Sequence, residues 1–308
     1  MSEPTGLLGE VFADLAARHP ASLRGAQEAR AIEPARFDAT AERYLGWLRK
    51  ARGDAWLTSS VNAYVQFSTD VIFAQADYED DGAYAHDSFA KAHAEVYSQR
   101  HVMDEYLWGV YLTNFLWVHH MEIMRFFQDR FLAPLPANAH IVEIAPGHGG
   151  WGVWATASRP DVDLEGFDIS PSSIAIASSI ANAAGVSDRV TYTLRNALDL
   201  AVMPEASADA VICSFLVEHL EQPDQLFAVI GRILKPGGTA FITGALTAAQ
   251  VDHIYEFRRE SELIVLAEQH GMRVRESLSV SPQRILPKAK FLPRSMAMAV
   301  TRCAHGFW

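Results

Sequence analysis

The feature that most constrains the fold of this chain is a glycine-rich stretch directly after a short apolar run. The run His140–Ile144 leads straight into Ala145–Gly150, which contains three glycines. Glycines let the backbone turn sharply and let a ligand approach the main chain closely. Asp168 ends the next strand-like run, 21 residues after Gly147, and a carboxylate there can accept two hydrogen bonds from a ribose diol. The pattern predicts a nucleoside-binding unit of strand, turn and helix.

Short apolar runs alternate with helical patterns from residue 136 to the end. The strand-like runs are His140–Ile144, Leu164–Phe167, Val190–Leu194, Ala210–Cys213, Ala240–Thr243, Val274–Val280 and Ala297–Thr301. The helical patterns between them are Ser172–Ala184, Asp224–Leu234 and Ala248–His270. Alternation of this kind favours an α/β fold, a doubly wound, mostly parallel seven-stranded sheet. We expect residues 136–308 to form this domain.

The first 135 residues show helical spacing of apolar side chains instead. The candidate helices are Leu7–Arg18, Phe37–Arg52, Ala55–Phe73, Asp87–Gln99 and about His101–Phe131. Pro20 is expected to end the first helix, and the prolines at 134 and 136 to end the last, because proline lacks an amide donor. Residues 1–135 are therefore predicted to form an all-helical cap or lid that binds the substrate.

Composition narrows the choice of partners and compartment. The chain of 308 residues has a formal charge of −11, and an acidic surface repels phosphate backbones, so no nucleic acid is expected. Two cysteines provide no disulfide framework. No apolar stretch is long enough to span a membrane, and no secretory signal pattern opens the sequence. We expect a cytoplasmic protein without a membrane partner, and a homodimer is left open.

The glycine pattern alone leaves two cofactors open. Gly147–Gly152 also fits the G-x-G-x-x-G fingerprint of dinucleotide-binding proteins. Four further segments favour a different family. Together, five segments in order resemble the motifs of class I S-adenosylmethionine (SAM)-dependent methyltransferases of the small-molecule type: Val142–Gly149, Phe167–Pro171, Val190–Ala197, Ser214–Leu220 and Leu234–Gly238. The resemblance extends from Ala139 to about Thr301, and a nicotinamide dehydrogenase becomes a minor alternative.

The resemblance implies roles for individual residues. Glu143 would brace the glycine loop or the methionine end of SAM through backbone amides, while Ala145, Gly147 and Gly149 would let that end approach the backbone. Asp168 would bind the ribose, and Ile169 would pack on the adenine. Asn196, where the family usually has aspartate, and Ala197 would contact the adenine edge, although a loop-capping role for Asn196 stays open. Ser214 and Phe215 would lie beside the sulfonium.

Catalytic residues are harder to identify, because the sulfonium already activates the methyl group and the protein mainly aligns the acceptor and removes a proton. His219 is the first candidate base, since it lies in the segment that borders the methyl group in the family. His119 and His120 follow. Adjacent helical residues point about 100° apart, so at most one of these two is expected to face the site. Purely structural roles remain open for all three.

No metal is predicted, because no cluster of histidine and carboxylate residues has a recognised ligand spacing. The acidic run Glu79–Asp81 is interpreted as a solvated loop. The predicted function is therefore methyl transfer from SAM to a small-molecule acceptor, in specialised metabolism by analogy. Two alternatives stay open: a SAM-consuming enzyme that releases methylthioadenosine without methylating, and a SAM-binding module without catalysis.

Overall fold

The computed structural model describes residues 3–92, 100–282, 285 and 288–304. The helices within these residues are α1 (Gly6–Arg18), α2 (Pro20–Ile32), α3 (Pro34–Arg52), α4 (Trp56–Asp81), α5 (Phe89–Ala92), α6 (Arg100–Leu116), α7 (Val118–Phe126), α8 (Gly150–Ser158), α9 (Pro171–Ala184), α10 (Pro223–Ile233) and α11 (Glu260–Gln269). The strands are β1 (His140–Ile144), β2 (Asp163–Asp168), β3 (Val190–Leu194), β4 (Ala208–Cys213), β5 (Leu234–Leu246), β6 (Met272–Val280) and β7 (Arg294–Arg302).

The strands form one seven-stranded sheet in the order β3-β2-β1-β4-β5-β7-β6. The pairs from β3 to β5 are parallel, and β7 is antiparallel to both β5 and β6. The prediction of a doubly wound, mostly parallel sheet with an N-terminal helical region is confirmed. The motif segment Leu234–Gly238 forms the first residues of β5, where the register against β4 shifts.

Strand β1 is the point at which the order of the sheet reverses. Ile144 pairs with Phe167 of β2 on one side and with Cys213 of β4 on the other. Ala145, Asp168 and Ser214 each follow one of these paired residues, so they lie close together at the edge of the sheet formed by the carboxyl ends of its parallel strands. In open α/β sheets this edge is where ligands bind.

Three elements of the helical part differ from the sequence prediction. Pro20 begins α2 instead of only ending α1, because proline is well suited to the first position of a helix. Helix α4 continues eight residues beyond Phe73, to Asp81. The predicted helix from His101 to Phe131 is broken at Trp117, whose backbone is extended (φ −94°, ψ 131°). The Trp117 ring stacks on Phe67 at 5.6 Å, so tertiary packing has overridden the local pattern.

Two other predictions were wrong, and a third falls partly outside the described residues. Only Glu260–Gln269 of the predicted helix Ala248–His270 is helical. Glu79 is not solvated, because it lies in α4 and its carboxylate accepts hydrogen bonds from the backbone N–H groups of Lys290 and Phe291. Of the predicted helix Asp87–Gln99, residues 93–99 lie outside the described part of the chain.

The helical region packs directly on one face of the sheet. One hydrophobic cluster contains Leu45 and Phe115 from the helices together with Ile141 and Ala297 from the sheet. Tyr44 stacks on Trp154 of α8 at 5.4 Å. Because the core continues across residues 135 and 136, the domain boundary there and the lid role stay predictions. Among the described residues, no helix has the length and apolarity that a bilayer span requires.

Candidate active site

The loop between β1 and α8 forms the floor of the site. Gly147 and Gly149 have φ angles of 55° and 73°, in the left-handed region that glycine tolerates. Ala145 has a φ of 53°, which costs a residue with a Cβ about 1–2 kcal/mol. A Cβ added to Gly147 would lie 3.4 Å from Leu107 Cδ2, and both residues line the cavity described below. The missing side chain thus leaves room for a ligand.

Glu143 holds this loop from beneath. Its Oε1 accepts a hydrogen bond of 3.0 Å from the backbone N–H of Gly152, in the first turn of α8. A Cβ on Gly152 would lie 2.2 Å from Glu143 Oε2, so any side chain at this position would displace the Glu143 carboxylate. The Glu143 side chain is fully buried, and burial raises its pKa to about 8. Glu143 thus contacts the start of α8 directly, and its role toward SAM stays a prediction.

Asp168 joins the end of β2 to the glycine loop. Its Oδ2 accepts from the Gly147 N–H at 3.1 Å, and its Oδ1 accepts from the Ser170 N–H at 2.9 Å. Burial raises the pKa of this carboxyl group, and the backbone hydrogen bonds oppose the shift. Two carboxylate oxygens offer about four acceptor sites, so two remain for the hydroxyls of a ribose.

The residues predicted to contact adenine line the same cavity. Ile169, Asn196 and Ala197 are all on its wall. Asn196 Oδ1 accepts a hydrogen bond of 2.9 Å from the Leu198 N–H and caps the short 3₁₀ helix Ala197–Val202. The structure therefore shows the capping role, and the Asn196 side-chain amide still has hydrogen-bonding capacity for a ligand.

Ser214 and Phe215 follow β4 at the same edge. Phe215 has a left-handed φ of 52°. Both residues are held by Thr243 of β5, whose Oγ1 accepts from the Phe215 N–H at 2.8 Å and lies 3.2 Å from Ser214 Oγ. Sequence reasoning did not identify Thr243, because a buried threonine inside a strand carries no signal of this contact.

His119 and His120 both line the cavity, so the expectation that at most one would face it was wrong. The break at Trp117 places the two residues in the first turn of α7, where their rings pack against each other with centroids 4.6 Å apart. His120 Nδ1 lies 2.9 Å from Thr113 Oγ1. Burial lowers the pKa of His119 to about 3 and that of His120 well below its usual value.

His219 lies on a different wall, in the 3₁₀ turn Val217–His219 after β4. Its Nδ1 is 3.1 Å from the carbonyl oxygen of Asp252 and 3.4 Å from Asp252 Oδ2. His253 and Glu218 lie beside it, and one potential ligand atom from each of these three residues falls within 4.8 Å of the others. The sequence alone does not indicate this cluster, because His253 follows His219 by 34 residues and lies in a segment whose apolar spacing predicts a helix.

Most of these residues line one cavity of about 960 Å³, whereas Glu143, Gly149 and Thr243 lie behind its wall and are not part of the lining. The strand ends and the glycine loop form one side. The helical region forms the other with mainly apolar and aromatic side chains, among them Tyr64, Phe67, Met103, Tyr106, Leu107 and Trp117. A volume of this size is at the upper end for a single ligand site, so it can contain a cofactor and a small acceptor together.

Comparison with known proteins agrees with this geometry. Residues 141–238 match the family model for a methyltransferase domain. The ubiquinone biosynthesis O-methyltransferase of Xanthomonas axonopodis pv. citri (strain 306) is 29% identical over 108 residues, which are 35% of this chain and 44% of that protein. Ajmaline N-methyltransferase of Rauvolfia serpentina is 27% identical over 103 residues, 33% of this chain and 35% of that protein. The chain thus matches less than half the length of these curated relatives.

A solved structure supports the fold independently. Phosphoethanolamine N-methyltransferase 2 of Haemonchus contortus, in complex with SAM, superposes with a TM-score of 0.54 at 16% identity, over 70% of this chain and 60% of that one. The glycine loop, the buried Asp168 and the open wall at Gly147 fit the cofactor of that class. Residues 141–238 of the α/β part therefore match a methyltransferase domain, and the α/β part has the fold of class I SAM-dependent methyltransferases.

Proposed function

We propose that this protein transfers the methyl group of SAM to a small, partly apolar acceptor held beneath the helical region, in specialised metabolism. The observation that carries the proposal is the shared cavity. Except for Glu143 and Gly149, the residues with predicted cofactor roles line one continuous space together with aromatic residues of the helices. A methyl donor and an acceptor bound there would be adjacent and shielded from bulk water.

On the cofactor side, we propose that Asp168 binds the ribose through the acceptor sites that Gly147 and Ser170 leave open. Ile169 and Ala197 would pack along the adenine, and Asn196 would contact its edge with the side-chain amide. Glu143 would act indirectly, by holding the loop through Gly152. When bound, SAM supplies a methyl group already activated by its positive sulfur. The protein's task is to orient the acceptor.

On the acceptor side, the apolar wall selects for a ligand with aliphatic or aromatic surface. A few polar groups interrupt that wall, which is the usual way in which a pocket fixes orientation. The relatives do not choose between oxygen and nitrogen as the acceptor atom, because one is named as an O-methyltransferase and the other as an N-methyltransferase. Both an oxygen and a nitrogen acceptor fit the proposal.

If the acceptor must lose a proton, we propose His219 as the base. The Asp252 carbonyl can only accept a hydrogen bond, so it fixes the proton of a neutral His219 on Nδ1 and leaves Nε2 as the basic atom. His119 and His120 are weaker candidates, because burial lowers both pKa values so far that neither ring holds a proton well near pH 7.

Product analysis tests this proposal. The protein is incubated with SAM labelled in the methyl group and a panel of phenols, amines and carboxylic acids, and the products are separated by mass. Methyl transfer predicts S-adenosylhomocysteine and label in an acceptor. Methylthioadenosine would contradict it and indicate a non-methylating reaction. Tight SAM binding without turnover of any panel member or of a cell metabolite extract would indicate a module without catalysis.

A matched pair of variants tests the base. His219→Gln should lower turnover by roughly a hundredfold while SAM affinity stays nearly constant. His270→Gln is the control, because His270 also contacts an aspartate, Asp224, at 2.8 Å but outside the cavity. Equal turnover of the two variants between pH 6 and 9 would exclude His219 as the base and direct attention to His119 and His120.

A further inference from the structure

A second polar centre lies in the wall of the cavity, apart from the predicted cofactor residues. It consists of Glu218, His219 and His253, with Asp252 beside them. The side chains of Glu218 and His253 are 0% and 1% exposed, whereas that of His219 is 12% exposed. All four residues border the cavity. The centre is therefore buried in the protein but reachable by a molecule in the cavity.

The backbone builds this centre from two distant segments. Glu218 and His219 belong to the 3₁₀ turn after β4, and His253 belongs to the loop between β5 and α11. The carbonyl oxygen of Glu218 accepts hydrogen bonds from the N–H groups of Ile254 at 2.8 Å and Tyr255 at 2.9 Å. These two bonds fasten the loop to the turn, so that His253 is held against Glu218.

The carboxylate of Glu218 has an unmet requirement for a partner. Both of its oxygens are buried, and neither makes a hydrogen bond within the described residues. The backbone N–H groups of Ala245 and of Glu218 itself approach the carboxylate, but neither reaches hydrogen-bond geometry. A buried carboxylate is stable when it is paired with a cation or coordinates a metal, which makes a cation the natural occupant.

The two histidines have their proton positions fixed by backbone carbonyls. His253 Nδ1 donates to the Ala248 carbonyl oxygen at 2.7 Å, so the lone pair of a neutral ring is on Nε2. That atom lies 4.0 Å from Glu218 Oε1. His219 is oriented in the same way by the Asp252 carbonyl. Histidine ligands of metals are typically held like this, through a hydrogen bond from the nitrogen that does not bind the ion.

We propose that Glu218, His219 and His253 bind a divalent transition-metal ion of the Zn²⁺ or Fe²⁺ type, with an open coordination position toward the cavity. Two imidazoles and one carboxylate are a ligand set suited to these ions. Mg²⁺ and Ca²⁺ prefer oxygen ligands throughout. The carboxylate of Asp252 lies beside the cluster, with Oδ2 3.4 Å from His219 Nδ1.

The ligand atoms must move closer together when the ion binds. Bonds of about 2.1 Å in a tetrahedral arrangement place ligand atoms about 3.4 Å apart, whereas His253 Nε2 now lies 4.0 Å from Glu218 Oε1. Binding should therefore draw the loop that carries His253 toward the turn that carries Glu218. Thermal unfolding should consequently shift upward when the ion is added.

If the proposed methyl transfer is correct, the ion would also have a role in the reaction. An acceptor hydroxyl bound to it would have a lowered pKa, and His219 would then serve as a ligand and not as the base. This consequence rests on the proposed function. The metal site itself does not, because it is argued from the contacts of Glu218, His219 and His253 alone.

The experiment measures metal binding without SAM or acceptor. The full chain is freed of metal with a chelator and titrated with Zn²⁺, Co²⁺ and Mg²⁺ by calorimetry, while the visible absorption of Co²⁺ reports its ligands. We expect one Zn²⁺ or Co²⁺ per chain and no comparable binding of Mg²⁺. Glu218→Gln and His253→Gln should each weaken Zn²⁺ binding at least a hundredfold, whereas the surface control His270→Gln should leave it unchanged.

Folding is checked separately, since Glu218 and His253 are buried. Each variant is tested for binding of S-adenosylhomocysteine, and His219→Gln, at the more exposed ligand, serves as a further variant. Equal Zn²⁺ affinity in the wild type and the three cluster variants would overturn the proposal, as would a wild-type protein that binds no Zn²⁺ or Co²⁺. A protein that binds Zn²⁺ at this cluster but transfers no methyl group would refute the proposed function and leave the metal site standing.

Discussion

Two neighbouring glycines in the β1–α8 loop allow the roles of folding and ligand binding to be separated. Gly147 and Gly149 both have left-handed φ angles, so alanine at either position pays a similar backbone cost of about 1–2 kcal/mol. Their surroundings differ. A Cβ on Gly149 would lie 2.7 Å from Ala177 Cβ and 2.9 Å from Ala177 Cα, whereas the nearest atom to a Cβ on Gly147 is Leu107 Cδ2 at 3.4 Å.

The magnitudes follow from these distances. Ala177 is part of α9 and cannot move without shifting backbone, so Gly149→Ala adds an overpacking cost of about 1–3 kcal/mol to the backbone cost. The free energy of unfolding should fall by roughly 2–5 kcal/mol in total. Gly147→Ala should lose only the backbone part, because 3.4 Å is an ordinary contact with a flexible side chain. Its new methyl group, however, would occupy cavity wall where we propose that SAM binds.

The assay combines urea unfolding with calorimetric titration of S-adenosylhomocysteine. Gly147→Ala should remain folded and lose most of its affinity. Gly149→Ala should lose stability first, and the molecules that remain folded should retain more affinity than Gly147→Ala. Unchanged affinity of a folded Gly147→Ala variant would refute the position proposed for the cofactor.

Three other substitutions test separate parts of the site. Asp168→Ala should weaken SAM binding by about 2–3 kcal/mol, roughly 30- to 150-fold. The control is Asp163→Ala, at the exposed start of β2, which should leave SAM binding unchanged. Glu143→Gln should flatten the pH dependence of the free energy of unfolding. The pKa of Glu143 is about 8 in the folded protein, above the usual 4.5, so its stabilising contribution is complete below pH 4.5 and is lost as the pH rises to 8. The loss amounts to at most about 1.4 kcal/mol per pH unit. Urea unfolding of the wild type and Glu143→Gln at pH 5, 6.5 and 8 measures this difference, and an equal change of unfolding free energy with pH in the two proteins would contradict the raised pKa. Ala145→Gly should change stability by no more than about 1 kcal/mol, because relief of the left-handed φ offsets the extra freedom of the unfolded chain; a larger loss of unfolding free energy would mean that the methyl group of Ala145 is needed for packing.

The cofactor side could be predicted because its signals are local. The turn after β1 requires glycines within a few residues, and Asp168 follows at the end of the next strand. Parallel pairing then places Ala145, Asp168 and Ser214 at one edge without further information. In a regular parallel sheet, residues that end neighbouring strands lie close together, so short sequence patterns are enough to predict which residues meet.

The acceptor side could not be predicted in the same way, because it depends on irregular backbone. The apolar spacing in Ala248–His270 indicated a helix, yet the hydrogen bonds from Ile254 and Tyr255 to the Glu218 carbonyl hold its first part as a loop. His253 reaches Glu218 only through that loop. The helix break at Trp117 likewise results from tertiary contacts that outweigh helical periodicity. Because of this break, His119 and His120 both line the cavity.

The central claim is that the glycine loop and Asp168 form a SAM site. Calorimetric titration of the wild-type protein with S-adenosylhomocysteine, and in parallel with NAD, tests it most directly, since both ligands contain an adenosine and the G-x-G-x-x-G pattern at 147–152 permits either. We predict binding of one S-adenosylhomocysteine per chain in the micromolar range and no binding of NAD. Binding of NAD without binding of S-adenosylhomocysteine would contradict the account.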